Sequence, residues 1–258
     1  MLPPYSEYHN PNKTTKGEKR YYDRKYKKIQ RHVRGGEFNP DDMFDPTTHI
    51  ATEENFIQLL EHEVYDRKYI GYGVTLSNSA AYNNGVWIIA DVDHDSENTG
   101  QTNCYDLINR DCVVPDSFYG QSYNYRNSYV RTWLLSTFYP GFSSDFKART
   151  NNIKYQYMGT WYNDDNMVIP SFIEVNGTTG TTSTNYRSDD GNTPYPIFTD
   201  NNSRIKKYEN SAVYWWTRSY NTAAPRYLWI VRYSGDLYNG NSGYYGASNY
   251  VASILRVS

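Results

Sequence analysis

Asp93-His94-Asp95 closes an apolar run and sets two carboxylates around an imidazole. Those are the residue types of a metal site or an acid–base pair. No second histidine lies nearby; the five histidines, His9, His32, His49, His62 and His94, are scattered. The triplet therefore reads as a strand end with turn-forming aspartates and a hydrogen-bonded histidine. Cys104 and Cys112 are eight positions apart, with no histidine or cysteine at metal-ligand spacing. They read as free thiols, and no secretion signal supports a disulfide. No Ser-His-Asp arrangement is evident. The sequence thus assigns no catalytic residue, no metal and no cofactor, and the chain is not read as an enzyme.

The third group is larger and lies between residues 214 and 258. An apolar frame, Trp215, Trp216, Trp229, Ile230, Val231, Leu237, Val251, Ile254, Leu255 and Val257, alternates with a polar and aromatic set. That set is Tyr220, Asn221, Tyr227, Tyr233, Asp236, Tyr238, Asn239, Asn241, Ser242, Tyr244, Tyr245, Ser248, Asn249 and Tyr250. Tyrosine offers large rigid contact area with few torsions to freeze, and Ser, Asn and Gly offer adaptable hydrogen bonding. The expectation is a ligand-binding surface on a rigid β scaffold. Asn239-Gly240 and Asn241-Ser242-Gly243 also supply hairpin turns. Hairpins alone do not require so many tyrosines.

The elements that must carry these residues follow from spacing. Thr52 is expected to cap a helix with Glu53 and Glu54 in its first turn. Phe56, Leu59, Leu60 and Val64 form its apolar stripe, and Arg67 and Lys68 its last turn. Residues 86–92, VWIIADV, read as a strand. A second helix is expected from an Asn127 or Ser128 cap, with Val130, Trp133, Leu134 and Phe138 buried and Pro140-Gly141 as its stop. Residues 167–171 read as a short apolar stretch opening a loop, and 176–196 as a long surface loop or small insertion.

Residues 1–50 differ from the rest. Ten basic residues between Lys13 and Arg34 are broken only by Glu18 and Asp23. This part reads as a basic arm and linker that is solvated or docks on other subunits, ahead of a domain over 51–258. The chain has 258 residues and a net charge of −2, so nucleic acid is not its expected partner. With 29 tyrosines, 6 tryptophans and 9 phenylalanines it can still build a core. No apolar run approaches the ~18 residues of a membrane span, and the polar opening MLPPYSEYHN is not a signal peptide. The expected location is cytoplasmic before assembly, or within a virion.

The order of several motifs is specific. VWIIADVDHD (86–95), NSYVRTWLLSTFYPGF (127–142), VIPSFIEV (168–175), YWWTRS (214–219), LWIVRYSGDL (228–237) and a terminal VASILRVS follow one another. Over residues 70–258 the chain resembles a family of C-type-lectin-like domains of bacteria and phages that includes the variable proteins of diversity-generating retroelements. The resemblance implies an α+β, C-type-lectin-like fold with two helices and a mixed, mainly antiparallel sheet. It implies a variable region at about 220–251, rewritten by adenine-directed mutagenesis, that binds a protein or glycan on a cell surface. A phage receptor-binding protein, homo-oligomeric and, on the pattern of the family's phage members, often a trimer, is the leading expectation. The alternatives are a structural or assembly protein of a virion, a formylglycine-generating type of enzyme, which would need a reactive cysteine pair, and a calcium-dependent sugar lectin, whose Glu-Pro-Asn and Trp-Asn-Asp signatures are absent. Tyr250-Val251-Ala252-Ser253 stands where the family commonly has Gly-Val-Arg-Pro.

Overall fold

The computed structural model describes residues 38–79, 85–113, 124–177, 193–224, 227–242 and 249–258. The chain divides between Asp42 and Met43, and the described residues from Met43 to Ser258 form one compact unit. The basic run between Lys13 and Arg34 lies outside the described residues.

The second unit begins with β1 (Ile50–Thr52) and runs directly into α1 (Glu53–Glu61). Thr52 caps α1 by accepting from the Asn55 amide, and Phe56, Leu59 and Leu60 are buried. The helix ends at Glu61, so Arg67 and Lys68 fall in a separate 3-10 turn, Arg67–Tyr69, capped by Asp66. The apolar stripe of the sequence ran past the true end because Glu63 adopts a positive φ of 54°, which no helix continues.

β2 (Gly73–Leu76), β3 (Gly85–Val92), the one-turn α2 (Ser96–Thr99) and β4 (Tyr105–Asn109) follow. The second expected helix starts as α3 (Tyr129–Trp133), capped by Ser128. It continues through a π segment, Leu134–Phe138, and ends in a 3-10 turn, Tyr139–Gly141. Trp133 stacks on Phe138 at 5.1 Å, and Phe138 and Phe142 pack on Trp87 of β3. Large aromatic rings thus fix this composite helix to the sheet, where each ring buries roughly 150–250 Å².

The rest of the chain is α4 (Ser144–Lys147), β5 (Thr150–Asn151), β6 (Ile153–Tyr157), β7 (Thr160–Asp165), β8 (Met167–Val168), α5 (Phe172–Asn176), α6 (Asn201–Arg204), β9 (Lys206–Tyr208), β10 (Ser211–Val213), β11 (Trp215–Tyr220), β12 (Tyr227–Val231), β13 (Leu237–Ser242) and β14 (Ile254–Val257). The main sheet has the order β1-β2-β3-β4-β14-β5, with β8 also on β14. Only β1 and β2 pair in parallel, so this sheet is mixed and mainly antiparallel. A second, three-stranded antiparallel sheet has the order β11-β12-β13. The class is α+β. Beyond the two expected helices there are four short ones among the described residues.

α5 replaces the expected loop opening. Ser171 and Glu174 form a capping box, each side chain bonding the other's backbone amide. That Ser-x-x-Glu spacing was the available signal.

Candidate functional site

The three-stranded sheet carries the expected binding residues on a buried frame. Trp215, Trp216, Trp229, Ile230, Val231, Val251, Ile254, Leu255 and Val257 are all buried, and Leu237 is half-buried against the Phe172–Ile173–Trp229 cluster. Thr217 bridges β11 to β12 by donating to the Trp229 carbonyl at 2.7 Å.

Two buried ion pairs tie this sheet and the chain's end to the domain. Arg218 of β11 grips Glu174 of α5 with both terminal nitrogens and also donates to the Ile169 carbonyl at 2.8 Å. The Arg218 amide reaches Pro170 and the Ser219 hydroxyl accepts from the Phe172 amide, so β11 and the start of α5 are joined at several points. In the main sheet Arg256 of β14 lies opposite Asp106 of β4 and holds it in a two-pronged contact of 2.6 and 2.8 Å. Burial works against both charges, but each partner's charge outweighs it: the Asp106 carboxyl is held below its usual range and the Arg256 guanidinium above. Tyr195 donates to the same carboxylate at 2.7 Å and stacks on His94 at 3.8 Å.

His94 is hydrogen-bonded to Asp91 at 2.9 Å, and Asp93 and Asp95 turn the chain with positive φ. The Asp-His-Asp triplet is thus a strand-end turn. Asp93 accepts from the Cys104 amide and Asp95 from Thr193. Among the described residues no cluster of three metal-ligating side chains occurs. Cys104 and Cys112 are buried free thiols near the two ends of β4, and burial pushes both up to about 12. Neither is poised as a thiolate nucleophile.

The expected binding residues fall into two groups at opposite ends of the three-stranded sheet. At one end Tyr220 closes β11, Tyr227 opens β12 and faces Ser242 of β13 across the ladder. Tyr220 and Tyr227 are half-buried. Asn221, between them, is only 5% exposed, and its carboxamide oxygen accepts from the Ala223 and Ala224 amides. It shapes the connection rather than facing a ligand. At the other end lie Tyr233 and Asp236, in the turn between β12 and β13, and Tyr238 of β13. Tyr233 is 56% and Tyr238 39% exposed. Asp236 is engaged by the Ser234 hydroxyl. Tyr250 bridges to Trp215 and stacks on Tyr208 at 5.0 Å. The four steps from Tyr227 to Val231 separate the groups by about 13 Å at a strand rise near 3.3 Å per residue.

Asn249 is 2% exposed and belongs with the frame. Asn239 and Asn241 lie on β13. Tyr244, Tyr245 and Ser248 lie outside the described residues.

Three residues of this region lie outside the expected binding set. Tyr214 meets Tyr233 edge-on at 5.5 Å and 83°. Arg232 lies 3.8 Å over the Tyr238 ring. Gly235, at φ +81°, places its α-carbon so close to α6 that a β-carbon would stand 1.7 Å from the Asn201 carbonyl oxygen. Ser234-Gly235-Asp236 is a turn sequence, and that was its visible signal.

Residues 106–256 match the family model described as Domain of unknown function (DUF6273), and the chain belongs to that family. The matched span opens at Asp106 and closes at Arg256, the two partners of the buried ion pair. No curated protein and no solved structure matches the chain.

Proposed function

For a member of this family, we propose a binding protein whose ligand surface is carried by β11–β13 and the turns between them. Its fold is of the C-type-lectin-like kind. Its surface positions are diversified by a retroelement, and its ligand is a protein or glycan on a cell surface. A homo-oligomeric phage receptor-binding protein, assembled into the virion, is the form this takes.

One observation carries the reading. Tyr233 and Tyr238 are among only four large hydrophobic side chains exposed among the described residues, and they stand together on a sheet whose frame is buried. A soluble surface gains nothing for folding from two exposed tyrosines, whereas a binding surface gains rigid contact area. The sheet beneath is held by a buried ion pair to α5, so little order has to be gained on binding. Membership of a reactive-cysteine enzyme class finds no support in two buried thiols. Among the described residues, no helix is long and apolar enough to cross a membrane.

The test needs only the neighbouring DNA. A near-copy of the segment encoding about residues 215–258, differing only where the copy has adenine, beside a reverse transcriptase gene is the expected finding. A locus without such a copy removes diversification and leaves a fixed tyrosine surface for one dedicated ligand.

A further inference from the structure

Tyr233 and Tyr238 are each in contact with a residue outside the expected binding set. We infer that Arg232 and Tyr214 are positioning residues that fix the rings of Tyr238 and Tyr233 before any ligand arrives. This rests on the binding role proposed for the late strands.

The geometry at Arg232 is built from the backbone outward. The turn closes with the Arg232 amide donating to the Asp236 carbonyl and the Gly235 amide to the Arg232 carbonyl, each at 2.9 Å. Gly235 seats that turn on the Asn201 carbonyl, where no side chain fits. The Arg232 side chain then lies over the Tyr238 ring, with one terminal nitrogen 3.4 Å from the Asp236 carboxylate. Its Nε is buried and has no hydrogen-bond partner among the described residues. A guanidinium placed for hydrogen bonding would not leave that donor unmet. Its position is explained by the ring face: a cation over a tyrosine within about 6 Å is attracted by the ring quadrupole, and the planar guanidinium stacks as well.

Tyr214 acts at the neighbouring ring. It directly precedes Trp215, which faces Val231 across the β11–β12 ladder, so it stands beside the turn that starts at Arg232. Its backbone carbonyl accepts from the Tyr250 amide at 2.8 Å, which anchors it to the frame. The edge-on contact with Tyr233 is the arrangement ring quadrupoles favour. Each exposed ring is thus supported by a side chain whose own backbone is fixed. An exposed tyrosine otherwise samples several rotamers, and freezing them on binding weakens affinity. The supports remove that penalty in advance and leave the outer parts of the rings for the ligand.

The experiment places 3-fluorotyrosine singly at 238 or 233 in the full chain and reads its fluorine resonance, at a pH where the phenol is protonated. With Arg232 present the 238 line is expected to be displaced from the free amino acid position. In Arg232→Ala it should collapse toward that position, and in Arg232→Lys, which keeps the charge but not the plane, it should fall between. Asp236→Asn, which leaves the stacked cation in place, should move the line least. Tyr214→Ala should shift the 233 line in the same manner and leave 238 alone. Melting temperatures checked alongside show that the variants are folded. If Arg232→Ala should unfold the chain, the Arg232→Lys line decides alone. A 238 line that Arg232→Lys leaves in its original place overturns the inference. The reading needs no ligand, so its failure is separable from a failure of the binding role: tyrosines without supports could still bind, and supported tyrosines could prove to bind nothing.

Discussion

The two ends of the matched region and the turn at 232–236 use the same residue types to opposite purposes. Arg256 is buried in the main sheet with its charge fully engaged by Asp106, and Tyr195 completes that carboxylate's partners. Arg232 is half-buried, and its guanidinium lies over the face of a tyrosine that itself stays exposed. In the first region every polar group is spent inside the fold. In the second, supports sit beneath rings that the fold does not bury. A chain arranged this way can change what it shows without changing how it folds, because the residues that decide the fold lie elsewhere.

The comparison breaks most severely at Arg256. Replacing it with Met leaves the Asp106 carboxylate buried without its counter-charge. Losing one partner of a buried pair costs about 3–5 kcal/mol, a large share of a typical domain's stability. Denaturant unfolding should show this loss, or no folded protein at all. An Arg256→Met protein of native stability would mean that the ion pair is dispensable, and with it the division into frame and surface.

Gly235→Ala comes next. The left-handed φ and the 1.7 Å approach to Asn201 both oppose a side chain. Forcing one costs on the order of 1–3 kcal/mol, because either the turn or α6 must move. The expected result is a lowered unfolding midpoint together with a displaced Tyr238 ring resonance. A Gly235→Ala chain with both unchanged would show that the turn is not seated on α6.

A smaller effect comes from Lys206, which is buried beneath Trp215 and donates to the Asn109 and Arg110 carbonyls. Burial lowers its ammonium from the usual 10.5 to about 8. Above about 8 the native lysine has released its proton while the unfolded chain still holds one, so stability rises with pH in that window. Cys104 and Cys112 act in the opposite sense. Both thiols are pushed from 9.0 to about 12, so from pH 9 upward the unfolded chain ionises first, the two thiols together outweigh the lysine, and stability falls. The rise is confined to roughly pH 8–9 and is on the order of 1 kcal/mol. Thermal melts across this range should show it, and Lys206→Met should flatten it. A wild-type profile without that rise would mean that Lys206 stays charged in the folded protein.

How much of this was legible in the sequence depended on the range of the physics. Caps and stripes are local, so Thr52, Ser128 and the buried faces of both main helices could be read directly. The apolar frame around Trp215, Trp229 and Val257 was legible for the same reason: alternation marks what is buried. Contacts between distant positions were not. Nothing near Glu174 announces Arg218, and nothing near Asp106 announces Arg256, because those pairs exist only once the strands are in register. The same limit acted on the binding set. Residue type placed Asn221 and Asn249 with the tyrosines, but tertiary packing buries both. Type also hid Arg232 and Tyr214, whose roles come from the ring each one touches.

The smallest stability effect is the most informative about function. Tyr233→Ala and Tyr238→Ala remove rings that are 56% and 39% exposed. Surface changes of this kind usually stay within about 0.5 kcal/mol, so the melting temperature should move by no more than a few degrees even in the double variant. The frame predicts that outcome: Trp229, Ile230 and Val231 of β12 are buried within a sheet that the Arg218–Glu174 ion pair holds to α5. Binding is the quantity expected to fall, since rigid aromatic anchors dominate interfaces of this composition. On the binding role proposed above, a cell-surface pull-down with the full chain reads it. If instead the double variant unfolds readily, the two rings are part of the core and the distinction between the ends of this sheet and its frame disappears.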